Sequence, residues 1–286
     1  MATETAGKQL IAHRGASGSA PEHSRAAYTL ALEQRADFVE QDLAVTKDGV
    51  LICLHDDTLE RTSNVAQVFP DRFTRRAFFP DPRRHWIAND FTLEELRTLD
   101  VGSWFAPPFA SERIVTFQEA VDLVKGRAGL YPELKSPTLY ASRGVDVVQL
   151  FVAQVKRNGL DRAESLKTTP MIVQSFDEPT IRRLAFELPS VPRVLLLESF
   201  GRGGMTDARL ADIARVATGI APRKALIARQ PDVVRAAHAA GLTVTAWTFR
   251  HKGLTGYATV REEMSHFLHE LGIDALFTDD PDQFPR

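Results

Sequence analysis

Residues 38–55 read Phe38-Val39-Glu40-Gln41-Asp42-Leu43-Ala44-Val45-Thr46-Lys47-Asp48-Gly49-Val50-Leu51-Ile52-Cys53-Leu54-His55. Two apolar-rich runs flank Thr46-Lys47-Asp48-Gly49. Asp-Gly between such runs signals a tight hairpin. A two-residue turn cannot join parallel neighbours, so Leu51–His55 is expected to run back antiparallel to Phe38–Leu43. With Asp48-Gly49 as the loop, Lys47 pairs with Val50 and Asp42 falls opposite His55. The returning arm then sets His55 beside the acids of the first arm.

Working outward, short apolar runs alternate with longer helical patterns. The other strand candidates are Gln9–His13, Gly129–Leu134, Met171–Ser175, Arg193–Leu197, Thr218–Ala221, Thr243–Thr248 and Ala275–Thr278. Helical patterns cover Ser24–Arg35, Thr116–Lys125, Gly144–Asn158, Glu178–Glu187, Asp207–Val216, Pro231–Ala240 and Glu262–Leu271. Several end near a glycine (Gly126, Gly159, Gly219, Gly241, Gly272), as helix C-termini prefer. Strand and helix in series argue a parallel sheet covered by helices. Counting the hairpin's return as an arm leaves eight strands. The expected fold is therefore a (β/α)8 TIM barrel, with the hairpin and a small insertion at its C-terminal face. Residues from about 61 to 113 form that insertion. They contain Phe69-Pro70, Phe78-Phe79-Pro80-Asp81-Pro82, His85-Trp86 and a Thr92/Glu95 capping box. Its aromatics could line a cleft; packing onto the barrel is the simpler expectation.

The chain has 286 residues, which suits one barrel domain over 1–286, such barrels needing about 250. Hydrophobic residues make up 44% and charged residues 25%, ordinary for a globular enzyme. A net charge of −2 gives a nucleic-acid partner no electrostatic support. Cys53 is the only cysteine, which excludes an intrachain disulfide. No run approaches the roughly 20 apolar residues of a membrane span. The start has no apolar core of signal-peptide length. The expectation is a cytoplasmic chain as it stands, or a periplasmic one if a leader has been removed. A homo-oligomer is compatible with this composition.

In such barrels the active site sits at the C-terminal ends of the strands. His13 and Arg14 end the first strand. Glu40 and Asp42, two apart, share one face of the second, and Glu133 and Lys135 end the third with the same spacing. Ser175 and Phe176 end the fourth, Glu198 follows the fifth, and Trp247 closes the seventh. Glu40, Asp42 and Glu133 are hard oxygen donors suited to Mg²⁺ or Ca²⁺. The alternative is a structural ion network in which Arg14 and Lys135 neutralise them. His13 and His55 suit general acid and base work near neutral pH. Arg14 offers a planar fork for phosphate and Lys135 a point charge. The residues alone read as a metal-dependent hydrolase or lyase acting on a phosphate ester.

The sequence resembles the glycerophosphodiester phosphodiesterase family over nearly its whole length. His13-Arg14-Gly15, Ala20-Pro21-Glu22, Glu40-Gln41-Asp42, Thr46-Lys47-Asp48-Gly49, His55-Asp56, Glu133-Leu134-Lys135, Ser175-Phe176, Trp247-Thr248 and Thr278-Asp279 follow in family order. The insertion is similar to that of longer bacterial members. The resemblance implies a barrel like that of phosphatidylinositol-specific phospholipase C. It implies one divalent cation on Glu40, Asp42 and Glu133, with His13 and His55 as the acid–base pair. It implies phosphate binding by Arg14 and Lys135, with Glu22 organising the site or touching glycerol. Phe176 and Trp247 would wall the glycerol; core packing is their alternative. The chain departs from the usual Pro-Glu-Asn-Thr at His23-Ser24. Serine can still cap the next helix, whereas His23 adds a titratable ring near the acids.

The implied reaction is hydrolysis of glycerophosphodiesters to sn-glycerol 3-phosphate and an alcohol. A lysophospholipase D-like lyase that releases a cyclic phosphate keeps the same fold. A barrel that binds a phosphorylated ligand without turnover is a third reading.

Overall fold

The computed structural model describes residues 7–74 and 84–286. Among them, nine strands form one sheet: β1 (Gln9–Ala12), β2 (Phe38–Val45), β3 (Leu51–Cys53), β4 (Gly129–Leu134), β5 (Val173–Ser175), β6 (Arg193–Leu197), β7 (Gly219–Pro222), β8 (Thr243–Phe249) and β9 (Ala275–Thr278). Their order is β1-β9-β8-β7-β6-β5-β4-β2-β3. The additional parallel pairing of β1 with β2, Ile11 to Phe38 and Ala12 to Val39, closes eight strands into a TIM barrel. β3 stays outside as the antiparallel arm.

The hairpin is formed, but its register is one residue off the expected one. Leu43 pairs with Cys53 and Val45 with Leu51. Thr46 N–H donates to Val50 O, and Gly49, at φ +79°, donates to Thr46 O. The loop is therefore Lys47-Asp48-Gly49, the three-residue form with glycine in the left-handed position. Leu54, not His55, then stands opposite Asp42, donating its N–H to the Asp42 carbonyl at 2.9 Å. β3 ends at Cys53, and the chain bends away at His55.

Strand side chains alternate, and the two parities do different work. Ile11, Phe38, Tyr131, Val194, Leu196, Ala221, Ala275 and Phe277 fill the barrel interior. Their neighbours Leu10, Val39, Leu43, Leu130, Leu134, Val173 and Leu195 pack outward against the helices. Stepping two residues along from the interior layer gives His13, Glu40 then Asp42, Glu133 then Lys135, Glu198 and Asp279. The same period that buries the apolar layer lifts these polar groups to the barrel's C-terminal mouth.

The helical shell follows the pattern: Arg25–Glu33, Phe117–Val124, Val147–Arg157, Glu178–Glu187, Asp207–Ala214, Asp232–Ala239 and Val260–Ser265. Ser24 caps the first of these, its Oγ accepting from Ala27 N–H at 3.0 Å. Gly219 does not end a helix; it opens β7. Helices Pro137–Ser142, Ala163–Thr168 and Lys224–Arg229 were not anticipated, being too short to show a periodic face.

Leu59, Val65, Trp86, Phe91, Leu96 and Leu99 form their own core against Ala44 and Ile52 of the hairpin. Packing, not a cleft, is what these aromatics serve. The Thr92/Glu95 capping box starts the helix Leu93–Leu96. Phe78-Phe79-Pro80-Asp81-Pro82 lies outside the described residues.

Candidate active site

At the barrel mouth a cavity of about 270 Å³ is lined by His13, Arg14, Glu40, Asp42, His55, Glu133, Lys135, Phe176 and Trp247, among others. Every expected site residue except Glu22 reaches it.

The turn after β1 builds one side. Arg14 and Gly15 take positive φ, +57° and +85°. A Cβ on Gly15 would lie 2.6 Å from the Ala27 carbonyl carbon, so only glycine lets the turn press onto the following helix. This geometry aims the Arg14 N–H at Glu40 Oε2, 2.7 Å away. The Arg14 side chain meets Glu22 Oε1 through Nη1 at 3.0 Å and Asp42 Oδ2 through Nε at 3.2 Å. Among the described residues no hydrogen bond engages Nη2, the other end of the fork. Lys135 Nζ stands 3.5 Å from Asp42 and 3.4 Å from Glu133.

Glu40, Asp42 and Glu133 are each buried. Three acids face two cations, so one negative charge is uncompensated. Burial, then repulsion from Asp42, pushes Glu40 well above the usual carboxylate range. The same two causes raise Glu133 to about 8. Burial opposes ionisation of Asp42 too, but Lys135, the His23 hydrogen bond and Arg14 outweigh it and hold Asp42 well below its ordinary value. Glu40 and Glu133 are thus both drawn toward the protonated form while Asp42 stays ionised. The donor set suits a divalent cation, because hard oxygens with excess negative charge are what Mg²⁺ and Ca²⁺ seek.

Among the described residues, the ligand atoms lying within 4.8 Å of one another belong to His23, Glu40 and Asp42. His23 enters this group from behind. Its Nε2 bonds Asp42 Oδ2 and its Nδ1 bonds the Tyr28 hydroxyl, both at 2.9 Å. Burial lowers the His23 pKa, so the ring is neutral. It donates from Nε2 to ionised Asp42 and accepts from Tyr28. Both nitrogens are spent, and His23 does not line the cavity. Glu133 does, across from Asp42 in the β2–β4 register.

Both histidines are tethered through Nδ1. His13 bonds Asp279 at 2.7 Å and His55 bonds Asp56 at 2.6 Å. Burial, then the nearby Arg14 charge, lowers the His13 pKa. His13 is therefore neutral at pH 7, its Nδ1–H donating to Asp279 and its Nε2 lone pair available. Asp279 lies 266 residues from His13 in sequence. In sequence the Thr278-Asp279 pair is only a member of the motif order, and the closure of β9 on β1 gives it this role.

Phe176, 45% exposed, meets Trp247 edge-on with ring centres 5.7 Å apart. Trp247 Nε1 donates to Ala221 O at 2.7 Å, which fixes the ring. Both rings line the cavity, so they form a wall rather than core alone. Gln174, Glu198 and Arg250 line it as well. Glu22 lies behind Arg14, held between Arg14 and Arg61. Burial opposes its ionisation, but the Arg61 hydrogen bonds and the Arg14 charge bring its pKa down to about 2. His238 and His251 bond Asp274 and Asp280.

Fold and site together define a class: a TIM barrel whose mouth combines clustered acids, two cations and two carboxylate-tethered imidazoles, suited to acid–base chemistry on an anionic ester. The chain belongs to the glycerophosphoryl diester phosphodiesterase family, whose model matches residues 13–283. It is 32% identical over 285 residues to the glycerophosphodiester phosphodiesterase of Bacillus subtilis (strain 168), covering 96% of this chain and 85% of that one. Its structure is similar to that of an Oleispira antarctica phosphodiesterase in complex with the product sn-glycerol-3-phosphate. That match has a TM-score of 0.71 and 25% identity, covering 96% of this chain and 94% of that chain. A glycerophosphodiester phosphodiesterase from Agrobacterium tumefaciens matches at a TM-score of 0.66 and 26% identity, over 97% and 98% of the two chains. No helix among the described residues is long and apolar enough to cross a membrane.

Proposed function

We propose that this protein hydrolyses glycerophosphodiesters to sn-glycerol 3-phosphate and an alcohol. Family membership supports the substrate class. The observation that carries the chemistry is the pair of imidazoles, each held at Nδ1 by a carboxylate, beside Arg14 and Lys135. Glu40, Asp42 and Glu133 would hold one divalent cation, Mg²⁺ or Ca²⁺, with His23 steadying Asp42 from behind. The cation, when bound, would supply Lewis-acid polarisation of the phosphoryl group.

Arg14 Nη2 and Lys135 Nζ would bind the phosphate oxygens and orient the phosphorus. Neutral His13 would accept the proton of the attacking hydroxyl at Nε2. Its tether to Asp279 fixes the tautomer and stabilises the imidazolium that results. His55, at the more open rim, would deliver a proton to the departing alcohol oxygen as the phosphorus–oxygen bond breaks. Phe176 and Trp247 would cover the carbon face of glycerol and exclude water from it. The whole chain would act as one barrel domain, with residues 61–113 as its insertion.

The test is release of sn-glycerol 3-phosphate from several headgroup diesters by chelator-treated protein, with metals added back singly. Release that returns with Mg²⁺ or Ca²⁺ supports the reading. Turnover that ignores metal would overturn the cation's part in it.

A further inference from the structure

We infer that Arg61 is a positioning residue that sets His55 and the Arg14 fork together through two shared carboxylates. The inference rests on the roles proposed above for His55 and Arg14. Arg61 Nε donates to Asp56 Oδ2 at 2.5 Å, and Asp56 Oδ1 holds His55 Nδ1 at 2.6 Å. Arg61 Nη1 and Nη2 donate to Glu22 Oε2 and Oε1 at 2.9 and 2.6 Å. Glu22 Oε1 also takes Arg14 Nη1 at 3.0 Å. The chain His55–Asp56–Arg61–Glu22–Arg14 is thus continuous, and Arg61 is its middle.

Each link constrains a different degree of freedom. Asp56 adjoins His55 in sequence, and its carboxylate has one oxygen to spare. Arg61 takes that oxygen and stops the carboxylate from rotating away from the imidazole. Glu22 is drawn between two guanidiniums and stays ionised, so it holds one Nη of Arg14 and leaves the other for phosphate. A lone exposed Arg–carboxylate pair contributes little, and the Arg61 side chain is 41% exposed. Here three N–H donors of one rigid plane meet two carboxylates. A lysine point charge cannot reproduce that pattern. Arg61 contacts none of the cavity acids Glu40, Asp42 or Glu133, so its removal should spare metal binding.

The test compares wild type, Arg61→Met and Arg61→Lys as full-length, metal-loaded protein. Melting temperature and metal affinity check that fold and metal site persist. Arg61→Met should lower kcat by up to about 100-fold, the scale of a catalytic group displaced by about 1 Å, and weaken inorganic phosphate binding several-fold. The hydrogen-bonded Nδ1 proton of His55 should shift or broaden in its NMR spectrum. Arg61→Lys, which keeps the charge and most of the stem, should recover only a minor part of kcat. Should Arg61→Met fail to fold, Arg61→Lys carries the same three readouts. Loss confined to kcat or to phosphate binding would overturn the joint role, and so would full rescue by lysine. If wild type releases no sn-glycerol 3-phosphate, the proposed function fails. Phosphate affinity and the His55 proton then still decide on Arg61.

Discussion

Replacing Glu133 with Gln should remove Glu133's share of the pH dependence of stability in the metal-free protein, leaving the share of Glu40. The folded-state pKa of Glu133 is about 8 against an ordinary 4.5. Between those values the folded protein keeps a proton that the unfolded chain has lost, so stability falls as pH rises. Each pH unit in this window is worth about 1.4 kcal/mol. From pH 6 to 8 the loss is about 2 kcal/mol, a little under two full units, because half the folded molecules have released the proton at pH 8. For a chain of this size that is a fall in melting temperature of roughly 4 °C. Gln cannot ionise, so Glu133→Gln loses this slope. The assay is thermal melting of chelator-treated wild type and variant at pH 6, 7 and 8. Saturating Mg²⁺ or Ca²⁺ should flatten the wild-type slope as well, since the cation replaces the proton. If metal-free wild type and variant fall in parallel, the surplus-charge account of the acid cluster is wrong.

The remaining predictions concern turnover. His13→Ala and His55→Ala should each lose roughly 10²–10⁴-fold in kcat while melting near the wild-type temperature; near-normal rates in either would refute its acid–base role. Asp42→Ala should weaken cation binding measured by calorimetry, with activity partly restored by excess metal. Trp247→Ala should raise KM more than it lowers kcat, and a collapsed melting temperature would instead assign Trp247 to packing.

The barrel was legible because period-two alternation and helix patterns are local, and because Asp48-Gly49 removed one strand from the count. The same dipeptide misled the register. It fits a two-residue loop and also a three-residue loop that ends in a left-handed glycine, and only the Thr46–Val50 pairing separates them. The site followed from the strand ends, since parity carries Glu40, Asp42, Glu133 and Lys135 from the apolar interior to the mouth. What stayed hidden is what holds those groups. Asp279 reaches His13 only once β9 closes on β1. Arg61 reads as the first residue of an insertion until its contacts join Glu22 to Asp56. His23 reads as a departure near the acids, and its service to Asp42 depends on Tyr28 taking the other nitrogen.

The central claim is hydrolysis at phosphorus, and one measurement bears on it most directly. Glycerophosphocholine is turned over in ¹⁸O-labelled water by metal-loaded protein and followed by phosphorus NMR. The account predicts sn-glycerol 3-phosphate as the final product, its phosphorus signal shifted by one ¹⁸O. A cyclic phosphate as the sole final product, or unlabelled sn-glycerol 3-phosphate with the label in the alcohol, would contradict it.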